Sequence, residues 1–127
     1  MTEETRSTEA VTERDVAEQA TQLAASYLEH QGYVVLDASS TTYVVARDGA
    51  DHVIVGIRGE AGECDGLPEL DLDARDIELL RRSCLLYAAG HPEAEAVRAD
   101  AIAITIVGER RARLRHLIGA YRWAESE

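Results

Sequence analysis

Hydrophobic residues recur at helical spacing in the first thirty residues of the chain. Over residues 16–28 an apolar side chain falls on one face every three or four positions, and Gly32 ends the run. Thr12 and Asp15 resemble the capping box with which many helices begin. The sequence therefore predicts a first helix from about residue 13. It also predicts a disordered acidic tail over residues 1–12, where no periodicity occurs.

A second helical stripe follows residues 59–72, whose acids and glycines predict a long surface loop. Asp73 stands at the N-cap position, and Gly90 and Pro92 are residues that commonly end helices. We therefore predict a helix over residues 73–89 whose apolar face packs on a sheet. The residues of that face are Ile77, Leu80, Cys84, Tyr87 and Ala88, widened by Leu79 and Leu86.

Segments rich in Val, Ile, Thr and Tyr predict β-strands in the remainder of the chain. These segments cover residues 33–36, 42–47, 52–58, 98–107 and 112–118. Together with the helices, the order α-β-β-β-α-β-β predicts an α/β (α+β) fold, in which helices flank a mixed central sheet. We expect a single domain over residues 13–123, with Trp123 anchoring its end and residues 124–127 forming a C-terminal tail.

The second and third strands flank an Asp-Gly turn sequence at residues 48–51 and predict a β-hairpin. Closing the strands symmetrically around this turn places Tyr43 opposite Gly56, with Arg58 on the same face. Glycine in a strand leaves backbone uncovered, and an aromatic ring across the strand can cover it. We therefore expect the Tyr43 ring to lie over Gly56 and Arg58 to contact that ring.

The charge of the chain is strongly acidic and unevenly distributed. Its 127 residues include 24 acids against 13 basic residues, all of them arginine, which gives a net charge of -11. Residues 1–18 hold six acids and two arginines, and residues 60–78 hold eight acids and one arginine. This acidity argues against strong non-specific nucleic-acid binding. Since no apolar run is long enough to span a bilayer, we expect no membrane contact and a cytoplasmic location.

Arginines gather near the C-terminus, in a stretch with no acid between them. Two interpretations remain open, a solvated face of the sheet or a site for phosphate groups. The residues concerned are Arg110, Arg111, Arg113, Arg115 and Arg122.

The cysteines and histidines do not suggest a metal site. Cys64 and Cys84 form neither a disulfide framework nor a zinc pattern, and we expect Cys84 to be a small core residue. No two of the four histidines have the spacing of metal ligands, so we expect them to be surface residues. They are His30, His52, His91 and His116.

Several short motifs occur in the order and spacing of a known family. They are residues 24–29 (Ala-Ala-Ser-Tyr-Leu-Glu), Gly32-Tyr33, Ala46-Arg47-Asp48-Gly49, Gly66-Leu67-Pro68-Glu69, Asp73, Leu80-Arg81-Arg82 with Tyr87, and Arg98-Ala99-Asp100. Over residues 17–121 the chain resembles the YraN-like family of small predicted endonucleases. That resemblance implies a restriction-endonuclease-like fold of the PD-(D/E)XK type and Mg²⁺-dependent cleavage of DNA.

The resemblance also implies where an active site would lie, on the two strands of the hairpin. In such a site an Asp and a Glu bind the metal ion, and a Lys two residues after the Glu assists the attacking water. The matching positions here hold Tyr43, Gly56 and Arg58. A face without carboxylates cannot bind Mg²⁺ in this way, and a guanidinium group cannot act as a base. We therefore expect neither a metal ion nor a cofactor at this site.

Three hypotheses follow for the function. The first, which we favour, is a catalytically inactive nuclease-like protein that acts as an interaction or oligomerisation module, with an unknown protein partner or with itself. The second is a protein that binds nucleic acid weakly without cleaving it, through Arg58, Arg81, Arg82, Arg110, Arg111, Arg113 and Arg115. The third is an active Mg²⁺-dependent endonuclease with migrated carboxylates, for which the candidates are Glu60, Glu63 and Asp65.

Overall fold

The computed structural model describes residues 2–63, 66–108 and 111–124, and the side chains of residues 15–63, 66–108 and 111–123. Two helices and five strands follow one another in the predicted order α-β-β-β-α-β-β. They are α1 (Thr2–His30), β1 (Val34–Asp37), β2 (Tyr43–Asp48), β3 (Asp51–Ala61), α2 (Ala74–Gly90), β4 (Ala96–Gly108) and β5 (Arg111–Ala124).

The five strands form one mixed sheet in the spatial order β1-β2-β3-β4-β5. The pair β3–β4 is parallel, with α2 in the connection between its strands, and the other neighbouring pairs are antiparallel. Because side chains alternate along a strand, each strand supplies both faces of the sheet. Val53 and Ile102 pack in one buried cluster with α1, whereas Ile54 and Val97 pack in another with α2. The predicted mixed sheet flanked by helices is confirmed.

Helix α1 is longer than the sequence predicts. Its backbone is helical from Thr2, whereas the pattern placed the start near residue 13 and a disordered tail before it. Extending an existing helix requires no new nucleation, and residues 2–15 contain neither Gly nor Pro to stop it. At the other end, Gly32 adopts φ +95° and the Tyr33 amide donates to the Leu28 carbonyl, which ends the helix where predicted.

Strand β3 also continues past its predicted end at residue 58. Glu60 and Ala61 pair with Thr105 and Ile106 of the long parallel strand β4, so the strand takes the first residues of the predicted loop. Gly59 permits this extension because a Cβ there would overlap the Cβ of Ala20 in α1. In the same way, β5 continues beyond residue 118 because it pairs with the start of β4.

Helix α2 begins as predicted, with Asp73 as its N-cap in a capping box with Asp76. Cys84 is fully buried, and burial raises the pKa of its thiol to about 12, with the charge of Asp100 as a smaller cause. It is thus the core residue that the sequence predicted. Leu79 and Leu86, expected to widen the packed face, are instead 52% and 69% exposed.

Candidate functional site

The hairpin has the predicted register. Tyr43 pairs with Gly56, and Arg58 lies two residues further along the same face of β3, which is the face towards α2. The turn is shorter than predicted because Asp48 and Asp51 also pair, which leaves two turn residues. The three positions that the resemblance aligns with a nuclease site therefore share one face of the sheet.

A leucine, not a tyrosine, covers Gly56. A Cβ at Gly56 would meet Leu80 Cδ2 of α2 at 3.5 Å, and its only other neighbour within 4 Å would be the Asp100 carbonyl oxygen. Tyr43 remains 44% exposed beside the glycine. The expectation that its ring lies over Gly56 is wrong, because Leu80 on the apolar face of α2 occupies the space above the glycine.

Arg58 pairs with a residue of α2 rather than with the Tyr43 ring. Its Nη2 lies 3.6 Å from Oδ2 of Asp76, the carboxylate that also completes the capping box. The expected contact with the ring is therefore replaced by an ion pair. The Arg58 side chain is 56% exposed, so this pair contributes little stability.

The two proposed migrated carboxylates that the structure describes, Glu60 and Glu63, are not part of a metal-binding group. Among the described residues, no group of three or more His, Cys, Asp or Glu side chains is placed to hold a metal ion. Glu60 is exposed on β3, and Glu63 is exposed just beyond it. Asp65 lies outside the described residues.

An apolar groove of about 1040 Å³ lies beside these hairpin positions. Helix α2 packs on β3, β4 and β5, and the groove lies between this helix and the strands β1 and β2. One wall is formed by Leu36, Tyr43 and Val45 of the sheet, and the other by Leu79, Ser83 and Leu86 of α2. Several of these side chains are large, apolar and half exposed, which is typical of a protein interaction site.

The C-terminal arginines do not share one surface. Arg113 and Arg115 pair with odd-numbered residues of β4 and lie on the α2 face. Arg111 instead borders a shallow pocket with Asp15 and Glu18 of α1. Arg110 lies outside the described residues. A single phosphate-binding surface is therefore not formed by the described members of this cluster.

Several arginines of the nucleic-acid hypothesis also have partners within the chain. Arg115 Nε donates to the Pro68 carbonyl at 2.7 Å, and Arg81 Nη2 donates to Glu78 at 2.7 Å. Arg122, which belongs to the C-terminal arginine stretch but not to that hypothesis, pairs with Asp51. Arg82 is exposed on α2. These contacts support the interpretation of the arginines as a solvated face of the sheet and of α2.

On the α1 side of the sheet lies a buried polar network that the sequence analysis did not identify. Asp100 is fully buried and accepts hydrogen bonds from His116 Nε2 at 2.8 Å, Arg98 Nε at 2.9 Å, Tyr33 Oη at 3.0 Å and the Gly119 amide at 2.9 Å. Tyr27 Oη in turn lies 3.0 Å from His116 Nδ1. The network joins α1, β4, β5 and the residue before β1.

The electrostatics of this network keep Asp100 ionised. Burial alone would raise the pKa of Asp100, but hydrogen bonds from His116, Arg98 and the Gly119 amide outweigh burial and lower the pKa to about 2. Burial, followed by the charge of Asp100, raises the pKa of Tyr33. Since these groups are hydrogen-bonded to one another and buried from solvent, the arrangement is structural rather than catalytic.

The expectation of surface histidines is wrong for His116, whose side chain is only 5% exposed. His52 also has a partner, since its Nδ1 lies 2.7 Å from the Tyr87 hydroxyl.

A signal for the buried polar network was available in the sequence. Arg98 and Asp100 have the same parity as Ile102 and therefore point to the same buried face of one strand.

No protein-family model matches this chain, and no match is found among curated proteins. Within the described part of the chain, neither helix is long and apolar enough to cross a membrane.

Proposed function

We propose that this protein is a catalytically inactive relative of the YraN-like endonucleases that serves as a protein-interaction module. Its partner binds in the groove between α2 and the strands β1 and β2. On this view the restriction-endonuclease-like scaffold has kept its sheet and helices while the positions of the active site have changed their role.

One observation carries the proposal. Tyr43, Gly56 and Arg58 line the same groove, and none of them carries a carboxylate, the side chain that most often binds a hard cation. Leu80 packs over Gly56 from above. The neighbouring wall exposes Leu79 and Leu86. The place where the resemblance implies a metal ion is thus bordered by apolar side chains suited to another protein.

The non-cleaving nucleic-acid hypothesis has less support. Leu70, Leu72 and Asp76, which belong to the acidic stretch of residues 60–78, line the groove, and the carboxylates of this stretch would repel phosphate groups. The arginines that would attract phosphates are divided between both faces of the sheet.

The test is a cleavage assay on single-stranded, duplex and branched DNA with Mg²⁺ or Mn²⁺. We expect no divalent-dependent cutting. Cutting that co-purifies with the wild type and disappears in Glu60→Ala would overturn the proposal in favour of migrated carboxylates.

A binding titration in the same preparations tests the second hypothesis. We expect little DNA binding near physiological salt. An affinity at that salt that is lost in the double variant Arg111→Ala and Arg113→Ala, but kept in Arg75→Ala, would favour a nucleic-acid function instead.

A further inference from the structure

The α2 face of the sheet is wider than the one helix that packs on it. Five strands about 4.8 Å apart span about 19 Å, whereas a helix with its side chains is about 10 Å across. Because α2 packs on β3, β4 and β5, the half of this face formed by β1 and β2 has room for one more helix. The groove of about 1040 Å³ lies in that place.

The α2 wall of the groove has the form of a helix-packing surface. Leu79, Ser83 and Leu86 follow one another at intervals of four and three residues and therefore form one stripe along α2. The small Ser83 between two exposed leucines leaves a gap into which a side chain of a neighbouring helix fits. Opposite this stripe, Leu36 and Tyr43 are 47% and 44% exposed on the sheet. Two apolar walls of this kind suit an amphipathic helix laid in a groove.

The charge around the groove selects among the helices that would fit. Three carboxylates, Asp37, Asp76 and Glu93, line it with one arginine, Arg58. Leu70 and Leu72, which belong to the strongly acidic stretch of residues 60–78, lie at its border. A basic helix is attracted by this rim, and an acidic helix is repelled.

The same charges argue against two other occupants. A second copy of the chain carries a net charge of -11 and brings its own acidic rim, and its residues 1–18 hold six acids against two arginines. Nucleic acid brings phosphates to a rim that already carries an excess of carboxylates. Both approaches are therefore opposed by like charge.

Resting on the proposed interaction function, we infer that the groove binds the apolar face of a basic amphipathic helix of another protein. The bound helix lies beside α2 and over β1 and β2. Its leucine-type side chains contact Leu79, Leu86 and Leu36, and its basic residues face the carboxylates of the rim.

The experiment uses three synthetic 18-residue peptides titrated into the full chain and followed by NMR up to millimolar concentration. The first carries a leucine stripe at helical spacing with Lys and Arg on its other face. The second has the same stripe with Glu and Asp, and the third has the composition of the first in an order that breaks the stripe. We expect the first to bind at least tenfold more tightly than either of the others.

Matched protein variants locate the binding. Leu86→Asp lies in the groove and should weaken binding of the basic peptide at least tenfold. Leu67→Asp adds the same charge at another half-exposed leucine, outside the groove, and should leave the affinity within twofold. The charge change alone favours a basic peptide in both variants, so a loss confined to Leu86→Asp reports the apolar contact.

Four results of the binding experiments overturn the inference. They are no binding of the basic peptide, equal or tighter binding of the acidic one, equal binding of the peptide without a stripe, and an affinity unchanged in Leu86→Asp. Sedimentation that shows a dimer dissociated by Leu86→Asp also overturns it, because a second copy is then the occupant, yet leaves an interaction function standing. Divalent-dependent DNA cleavage removes the proposed function itself, whatever the peptides do.

Discussion

Both faces of the sheet have a buried apolar cluster, and each departs from the usual placement of polar and apolar residues in one place. On the α1 face, Arg98, Asp100 and His116 are almost completely buried. On the α2 face, Leu79 and Leu86 are more than half exposed. A buried charge persists only if it is paired and hydrogen-bonded, whereas an exposed apolar side chain needs no partner within its own chain.

This difference separates residues that stabilise the fold from residues that are exposed for binding. The hydrogen bonds to Asp100 come from four other residues of the same chain, so the network is complete in itself. The groove instead exposes apolar side chains to water, and on the proposed function these side chains lose water when a partner binds. Substitutions on the α1 face should therefore change stability, and those on the α2 face should change binding.

The largest effect is expected for Asp100→Ala. Removing this carboxylate leaves Arg98 buried at 7% exposure with fewer acceptors, and it leaves Nε2 of His116 without its acceptor. Breaking a buried charge pair costs about 3–5 kcal/mol of the free energy of unfolding. Urea denaturation measures it, with the exposed Asp71→Ala as control. A loss below about 1 kcal/mol would contradict the structural role of the network.

A second comparison uses two glycines of β3 that point to opposite faces. Gly59→Ala places a Cβ against Ala20 of α1, and overpacking of this kind costs about 1–3 kcal/mol. Gly56→Ala places its Cβ 3.5 Å from Leu80 Cδ2, an ordinary contact, and should be neutral or slightly stabilising. Thermal or urea unfolding of both variants compares the two faces directly. Equal effects would show that α1 is not packed more tightly than α2.

The pH dependence of the free energy of unfolding gives a second test of Asp100. Its pKa in the folded chain is lowered from 3.8 to about 2. The stabilisation is therefore fully present above about pH 4 and is lost as the pH falls through 2. It amounts to about 2 kcal/mol. Urea unfolding between pH 2 and pH 5 should show this loss in the wild type, whereas in Asp100→Asn the difference between the two pH values should be smaller by that amount.

The smallest effect on stability is expected in the groove. Leu86→Gln changes a side chain that is 69% exposed, and the free energy of unfolding should stay within about 0.5 kcal/mol of the wild type. Leu28→Ala, at a fully buried leucine of α1, should lose about 2–5 kcal/mol in the same assay. A large loss in Leu86→Gln would show that the groove is part of the core and not a binding surface.

Features that depend on neighbouring residues could be predicted from the sequence. The Asp-Gly turn set the register that pairs Tyr43 with Gly56. Asp73 marked the start of α2, and Gly32 marked the end of α1. Each rests on backbone conformation or hydrogen bonding within a few residues, and such interactions do not require knowledge of the rest of the fold.

Only the tertiary structure decided what lies across from each residue at long range. Glu60 belongs to β3 because β4 continues beside it, and His116 is buried because Asp100 faces it across β4 and β5. The position of α2 decides that Leu80 covers Gly56 while Leu86 remains exposed. An amphipathic pattern states that a stripe is apolar, but the width of the sheet and the number of helices upon it determine which part of that stripe is buried.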